Sequence, residues 1–188
     1  REKIRSFQHR HDVFVYNKKA RVLSRPVKNY GDIIQRGSHF QINDEGLILF
    51  RSSRLNDGQS IYCLGKDHLI EKLSQRKEQG LSYLFGPKLV GTKGFLVKVR
   101  EGDPGEWEEK RPDSLRFYSF KETDKGPSIL HEDRDRNSAS PFKRFDNSMS
   151  ASPDGNWLAF IANLKDGKRV LVRQKMGGPF NIISKEGV

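Results

Sequence analysis

The stretch that decides the fold is residues 149–173, which read MSASPDGNWLAFIANLKDGKRVLVR. Two polar segments, Ser152-Pro153-Asp154-Gly155 and Lys165-Asp166-Gly167, separate its apolar runs. In the first segment Pro presets φ for a β-turn, Asp can bond to its own backbone, and Gly supplies the positive φ that closes the corner. The second segment is a hairpin signal. The stretch therefore predicts three antiparallel strands joined by two tight turns.

The same order of strands and turns occurs earlier in the chain. Residues 40–64 read FQINDEGLILFRSSRLNDGQSIYCL, so that Gly46 aligns with Gly155 and Asp57-Gly58 aligns with Asp166-Gly167. A looser copy covers residues 86–120, with Gly94 as its turn glycine. Repeats of this size are typical of a β-propeller, in which each repeat forms one four-stranded blade. We therefore predict an all-β fold, an incomplete or small β-propeller of antiparallel four-stranded blades.

The repeats divide one propeller-type domain into four parts. These are a basic N-terminal segment with an outer half-blade (1–37), a blade (38–75), a blade with long polar loops (76–140) and a final blade (141–188). The stretches Glu101–Asp113 and Thr123–Ser140 are expected to be surface loops or insertions. Closed propellers have four to eight blades, so three and a half blades are expected to complete a ring with residues not present here or with another chain.

One segment has two interpretations. Residues 67–79 place Leu69, Ile70 and Leu73 before a run of good helix formers, which indicates a helix. The same residues can form an outer strand followed by a polar loop. Both alternatives stay open on the sequence.

The chain is strongly basic, with a formal net charge of +11. The excess of Lys and Arg is concentrated in residues 1–40, and such a patch attracts an anionic partner, whether nucleic acid, acidic protein or lipid headgroup. The residues expected to bind that partner are Arg5, Arg10, Lys18, Lys19, Arg21 and Arg25. An ordinary solubilising surface explains the same charges equally well.

Compartment is not decided by the sequence. No run approaches the roughly 18 apolar residues of a membrane-spanning helix, so no transmembrane segment is expected. The chain opens on Arg1, which fits either removal of an N-terminal segment, as in export, or a start within a longer protein. The single Cys63 lies in an apolar run and is expected to be a buried structural thiol.

These blocks resemble the TolB-type propeller repeat, whose pattern is roughly Ser-Pro-Asp-Gly, an apolar strand ending in Phe, a short Asp-Gly loop and a strand of the Ile-Tyr type. The last block matches it at Ser152-Pro153-Asp154-Gly155, Phe160 and Asp166-Gly167, and the first at Asp44, Gly46, Phe50, Asp57-Gly58 and Ile61-Tyr62. The resemblance implies a propeller that docks other proteins, as in periplasmic envelope assemblies, or one that gates substrates for an attached peptidase. It slightly favours a periplasmic location.

Motifs that carry catalysis are not found. The sequence has no Gly-x-Ser-x-Gly elbow, no His-Glu-x-x-His and no Cys pair for zinc, so we predict no catalytic residue, no metal and no cofactor. His9 and His11 can share a strand face but have no third ligand nearby. The acidic residues of the 101–109 loop are expected to be solvated rather than paired as in a glycosidase.

A binding surface is predicted from the architecture. In a propeller the loops between second and third strands gather on one face, and Trp107 in one such loop is either an interface anchor or packs onto its own hairpin. Trp157 is expected to pack between blades. The predicted protein-binding residues are Arg54, Asn56, Asp57, Trp107, Arg111, Asn163 and Lys165.

Three functions remain open on the sequence. The leading one is a non-catalytic propeller module that binds or scaffolds another protein, or a second propeller portion, through its loop face. The second is a basic accessory subunit that binds nucleic acid or an anionic assembly through residues 1–40. The third is the propeller portion of a peptidase whose catalytic domain lies outside this chain.

Overall fold

The structure is a computed structural model in which fifteen β-strands, and no helix, make up the regular structure of the described residues. It describes residues 11–17, 21–30, 40–54, 58–65, 69–74, 81–102, 112–121, 126–132 and 140–184. The all-β prediction is confirmed. None of the described segments contains a helix long and apolar enough to cross a membrane.

A two-stranded antiparallel hairpin comes first. It pairs β1 (His11–Asn17) with β2 (Val22–Tyr30), and the register joins Asn17 to Val22 at the turn. Arg21, just before β2, has a positive φ of 53°. A left-handed conformation is uncommon for a residue with a side chain and is typical of a tight turn.

The next sheet, which we call the first sheet, has four antiparallel strands in sequence order. They are β3 (Gln41–Ile42), β4 (Ile48–Arg54), β5 (Gly58–Leu64) and β6 (Leu69–Ser74). β6 decides between the two interpretations of residues 67–79. The strand is the correct one over Leu69–Ser74, because pairing with β5 outweighs the modest helix preference of this segment.

The second sheet is built around β9 (Gly94–Glu101), which pairs with β10 (Asp113–Ser119), and β10 pairs with β11 (Ser128–Glu132). The other side of β9 pairs with two short strands, β7 (Leu81–Leu84) and β8 (Lys88–Val90). Gly86-Pro87 separates them, because proline lacks the N–H that a continuous ladder needs. The expectation that Thr123–Ser140 is only loop was wrong, since β11 lies within it.

The third sheet again follows sequence order, with β12 (Phe142–Ala151), β13 (Trp157–Leu164), β14 (Arg169–Lys175) and β15 (Phe180–Ile182). Its β12–β13 register shifts between Phe145 and Met149. Asp146 accounts for the shift, since its Oδ1 accepts hydrogen bonds from the N–H groups of Asn147 and Ser148 at 2.6 and 3.3 Å. β12 is therefore interrupted by a short bulge after Phe145, and a second register shift lies between Phe142 and Arg144.

Glycines of positive φ lie in the turns that precede β4, β9 and β13, one in each of these three sheets. They are Gly46 (φ 77°), Gly91 (φ 53°) and Gly155 (φ 67°). The sequence comparison had placed the turn glycine of the middle repeat at Gly94, which instead begins β9. We call the three segments Asn43–Gly46, Gly91–Lys93 and Ser152–Asn156 the first-strand turns.

One apolar core lies between the first and second sheets and another between the second and third sheets. β9 contributes to both. Phe95, Val97 and Val99 pack with Leu49, Ile61 and Cys63 of the first sheet. Leu96 lies in the other core, which holds a cluster from the third sheet: Phe142, Phe145, Leu158 and Phe160. Alternate side chains of a strand point to opposite faces, so a strand buried on both faces must be apolar throughout or satisfy its polar groups internally. Cys63 is buried, as predicted.

Candidate binding site at the first-strand turns

A cavity of about 390 Å³ opens among the three first-strand turns. The first, second and third sheets each contribute part of its wall. Its volume is in the range of pockets that hold small ligands. The lining residues are Gln41, Ile42, Asn43, Asp44, Leu89, Gly91, Thr92, Ala151, Ser152 and Pro153.

Gln41 joins the first sheet to the second at this cavity. Its Oε1 accepts a hydrogen bond from the N–H of Leu89 at 2.7 Å, and its Nε2 donates to the carbonyl of Pro87 at 2.5 Å. The side-chain amide thus acts as one more peptide group beside β8. It satisfies the backbone groups that β8 turns away from β9.

Asn43 shapes the first turn. Its Oδ1 accepts from the N–H groups of Glu45 and Leu47 at 3.1 and 3.0 Å, and its Nδ2 donates to the carbonyl of Gly91 at 3.3 Å. Bonds from an Asn side chain to the backbone two residues on are the reason this residue favours turns. The same side chain therefore closes its own turn and contacts the next one.

The third turn is held by its own polar side chains. The hydroxyl of Ser152 donates to Oδ1 of Asp154 at 2.5 Å and accepts from the N–H of Trp157 at 2.9 Å. Oδ1 of Asp154 also accepts from the N–H of Asn156 at 3.0 Å. The Ser152 hydroxyl and the Asn156 amide hold the pKa of Asp154 below its usual value, because both donate to the charged carboxylate.

The second and third turns touch through backbone. A Cβ placed on Gly91 would lie 2.8 Å from the carbonyl oxygen of Pro153, and one on Gly155 would lie 2.9 Å from the carbonyl oxygen of Val90. Lys93 adds a polar link, since its Nζ donates to Oδ1 of Asn156 at 2.6 Å. Glycine is required at both turns for the close approach as well as for positive φ.

One wall of the cavity is formed by Ala151, at the end of β12, and by Ser152 just beyond it. The N–H of Ser152 donates to the carbonyl of Trp157 at 2.9 Å, which makes these two residues a hydrogen-bonded pair. Such pairs alternate with non-bonded ones in an antiparallel ladder, so the backbone groups of Met149 and Ala151 point away from β13. None of the described strands pairs with β12 on that side. Their N–H and C=O groups therefore face outward.

A second polar cluster is buried beside the core between the second and third sheets. Nε of Arg100 lies 2.7 Å from Oδ1 of Asp113, and Nζ of Lys98 lies 3.5 Å from Oδ2 of the same carboxylate. Nζ of Lys98 also donates to the carbonyl of Phe145 at 2.7 Å. Burial lowers the pKa of Lys98, and the charge of Asp113 offsets part of that effect. Arg116 pairs with Glu101 nearby. These groups are matched to one another, so we assign them to the structure of the sheet contact.

The structure describes only some of the predicted protein-binding residues. Asn163 lies one residue before the end of β13 and is in register with Arg169, and Lys165 is exposed in the following turn. Arg54 ends β4 at the equivalent corner of the first sheet. These corners lie at the opposite ends of β4 and β13 from the first-strand turns. Asn56, Asp57, Trp107 and Arg111 lie outside the described residues, so that this surface stays a prediction.

Of the six predicted anion-binding residues, the structure describes only Arg21 and Arg25. Arg21 precedes β2 and Arg25 lies within it. Arg5, Arg10, Lys18 and Lys19 lie outside the described residues. His11 begins β1 whereas His9 is not described, and no group of three metal-ligating side chains occurs among the residues that are.

Trp157 corrects one expectation. It does not pack between two of the described sheets, because its side chain is 40% exposed on the face of β13 opposite Leu158. The guanidinium carbon of Arg173 lies 5.1 Å from the centroid of its ring. Alternation along β13 puts Leu158 in the core and therefore turns Trp157 outward.

The cavity was missed by the sequence analysis. Its residues come from turns that the repeat alignment did identify, around Asp44, Gly46 and Ser152-Pro153-Asp154-Gly155. Those turns were interpreted as structural corners only. The signal was the recurrence of polar residues at the same turn of each repeat, which places them on one end of stacked sheets.

Solved structures resemble the chain, whereas no protein-family model and no curated protein matches it. One is a prolyl endopeptidase, from work on inter-domain dynamics in catalysis and specificity, with 14% identity, a TM-score of 0.59 and coverage of 97% of this chain and 27% of that one. Another is TolB from Acinetobacter baumannii, with 12% identity, a TM-score of 0.58 and coverage of 93% and 38%. The matched portions are β-propellers, so the predicted TolB-like propeller fold is confirmed. The chain spans less than two fifths of either protein's length.

Proposed function

We propose that this chain is a non-catalytic β-propeller module that binds another protein. The observation that carries the proposal is the cavity among the three first-strand turns, which is lined by backbone, amide and hydroxyl groups together with Ile42, Leu89 and Pro153. Mixed polar and apolar walls of this kind suit a segment of polypeptide, since it offers hydrogen-bonding groups and side chains at once.

The loop face at the opposite ends of the second strands is the other surface of this proposal. Lys165 is exposed there, and Asn163 is half-buried beside it. The two surfaces are far enough apart along β13 to be tested by separate substitutions. A scaffold that uses both surfaces binds one protein at the first-strand turns and another at the loop face.

A second candidate function is the propeller portion of a peptidase whose catalytic domain lies outside this chain. The likeness to a prolyl endopeptidase favours it, because the chain matches about a quarter of that protein's length. Fold likeness at this identity carries no activity by itself. Sequencing the complete reading frame tests this candidate, because the candidate requires a hydrolase domain in the same chain as the propeller.

The third candidate, a basic subunit for nucleic acid or another anionic assembly, rests on the +11 charge and on residues 1–40. It differs from protein binding in its dependence on salt. Binding through phosphate contacts falls steeply with salt concentration, and neutralising Arg5, Arg10, Lys18 and Lys19 together would remove that dependence.

The proposal is tested by cross-linking the tagged full-length protein in its native cells and identifying what it binds. Thr92→Arg places a large side chain in the cavity, and Lys165→Glu reverses a charge on the loop face. We expect a protein that is recovered with the wild type and lost with one variant but not the other. Recovery that neither variant nor Trp107→Ala changes, or that requires the basic residues of 1–40, would overturn it.

A further inference from the structure

We propose that an extended peptide segment carrying a Lys or Arg binds in the cavity by adding as a strand to the open edge of β12. This inference rests on the proposed function and specifies its partner: a polypeptide held mainly by backbone hydrogen bonds to Met149 and Ala151, with its basic side chain beside Asp44.

The hydrogen-bond pattern of β12 supplies the binding groups. Ser150 and Ser152 bond to β13, so the N–H and C=O groups of Met149 and Ala151 project from the other side of the strand. Among the described residues, no hydrogen bond reaches these groups. An unpaired strand edge is a template for another strand, which donates and accepts at alternate residues.

The contrast with β8 shows why β12 is the edge that accepts a strand. On β8 the equivalent outward groups are already occupied, because Gln41 bonds both the N–H of Leu89 and the carbonyl of Pro87. A peptide adding there would have to displace that amide. At β12 no described residue competes for the outward groups, and Ala151 itself lines the cavity.

The bulge in β12 limits how long the added strand can be. Regular pairing with β13 resumes only at Met149 and ends at the turn that begins with Ser152. The open edge therefore offers two residues, each with one donor and one acceptor. A segment of about three residues satisfies them. Because each such hydrogen bond replaces one that the free peptide makes to water, binding of an isolated peptide is expected to be weak.

The charge of the cavity selects a basic residue in the peptide. Among its described lining residues Asp44 is the one with a charged side chain, and it is exposed in the first turn. An acidic wall in a chain with a net charge of +11 is a local exception. A cation near Asp44 is attracted to it, whereas an acidic side chain at the same position is repelled.

The experiment titrates the protein with acetyl-Val-Lys-Val-Thr-Val-amide and follows backbone amide signals by NMR. The expected result is saturable binding with the largest shifts at Met149 and Ala151. Two matched peptides sharpen the test: one with Lys replaced by Glu, expected to bind at least tenfold more weakly, and one N-methylated at the alternate residues that face β12, expected not to bind.

Substitutions in the protein test the edge and the charge separately. Ala151→Pro removes the outward N–H without breaking a bond to β13, a position at which an edge strand tolerates proline. Asp44→Asn removes the charge, and Glu45→Gln is its matched control in the same turn, outside the cavity lining. We expect at least tenfold weaker binding for Ala151→Pro, about two- to fivefold weaker binding for Asp44→Asn, and unchanged binding for Glu45→Gln.

Equal binding by the wild type and Ala151→Pro, or no shift at Ala151 with millimolar peptide, would overturn the inference. If Ala151→Pro fails to fold, the N-methylated peptide and Asp44→Asn still decide it. These outcomes are separable from failure of the proposed function. A module that binds its partner through the loop face would not bind the peptide, but its Lys165→Glu variant would still lose the partner.

Discussion

The Nε2 atom of His131 lies 2.8 Å from Oε1 of Gln174, and this hydrogen bond joins β11 of the second sheet to β14 of the third. Around it the His131 ring contacts Phe142, Phe160 and Phe180, with ring centroids 4.9, 5.5 and 5.7 Å away. Among the described residues, the imidazole therefore meets the side-chain oxygen of Gln174 and a group of phenyl rings. Burial therefore lowers the pKa of His131, and the bond to Gln174 offsets part of that effect.

Stability is expected to fall at acid pH because of His131. The unfolded chain takes up the proton near the ordinary pKa of 6.5 and the folded chain only at lower pH. Above that value His131 contributes no pH dependence. As pH falls below it, the free energy of unfolding decreases by about 1.4 kcal/mol per unit until the folded protein is protonated too. Urea unfolding between pH 7 and 5 should show a shallower dependence for His131→Gln. An identical slope would contradict the assignment.

Gly91→Ala is expected to destabilise the protein by more than its backbone conformation alone requires. A positive φ costs a residue with a side chain about 1–2 kcal/mol, and the new Cβ would also lie 2.8 Å from the carbonyl oxygen of Pro153. Gly167→Ala is the control, because φ is 89° there and a Cβ would meet no described atom within 4 Å apart from those of its chain neighbours. Thermal unfolding of both variants measures the difference. Equal losses would mean that the third turn moves aside without cost.

Gln41→Leu is expected to expose the edge of β8. The N–H of Leu89 loses the acceptor that lies 2.7 Å away, and an unsatisfied group at this half-buried position costs about 1–3 kcal/mol. Hydrogen exchange at the Leu89 amide should become faster, while that of Phe160 in the third sheet changes little. Unchanged exchange at Leu89 would show that water or another group replaces the amide.

Asp113→Asn is expected to destabilise the protein more than a change at a surface ion pair. The carboxylate lies near the cations of Arg100 and Lys98 with only 2% of its side chain exposed, so removing it leaves buried positive charge, for which about 3–5 kcal/mol is typical. The control is Asp166→Asn, whose pairing with Lys168 is exposed and screened by solvent, so that little change in stability is expected. Chemical denaturation compares the two. A similar loss in both would contradict the structural role of the cluster.

Some errors of the sequence analysis have a common cause. β11 was hidden in a polar stretch because its buried residue is His131, whose burial depends on phenyl rings contributed by the third sheet. β6 was ambiguous because Leu69, Ile70 and Leu73 fit a helix as well as a strand. In both segments the pairing partner, β10 or β5, decides the structure, and a pairing partner is not a property of the segment itself.

The sequence by itself determined the repeated hairpins and hence the propeller fold. Turn residues such as Ser152-Pro153-Asp154-Gly155 act through local φ preferences and local hydrogen bonds, which need no distant partner. Only the tertiary structure decided that the positive-φ glycine of the middle repeat is Gly91, that Gln41 covers the edge of β8, and that the edge of β12 is open. These features depend on how closely successive sheets approach at their turns, as Gly91 and Pro153 do, and that distance is set by side chains far apart in the chain.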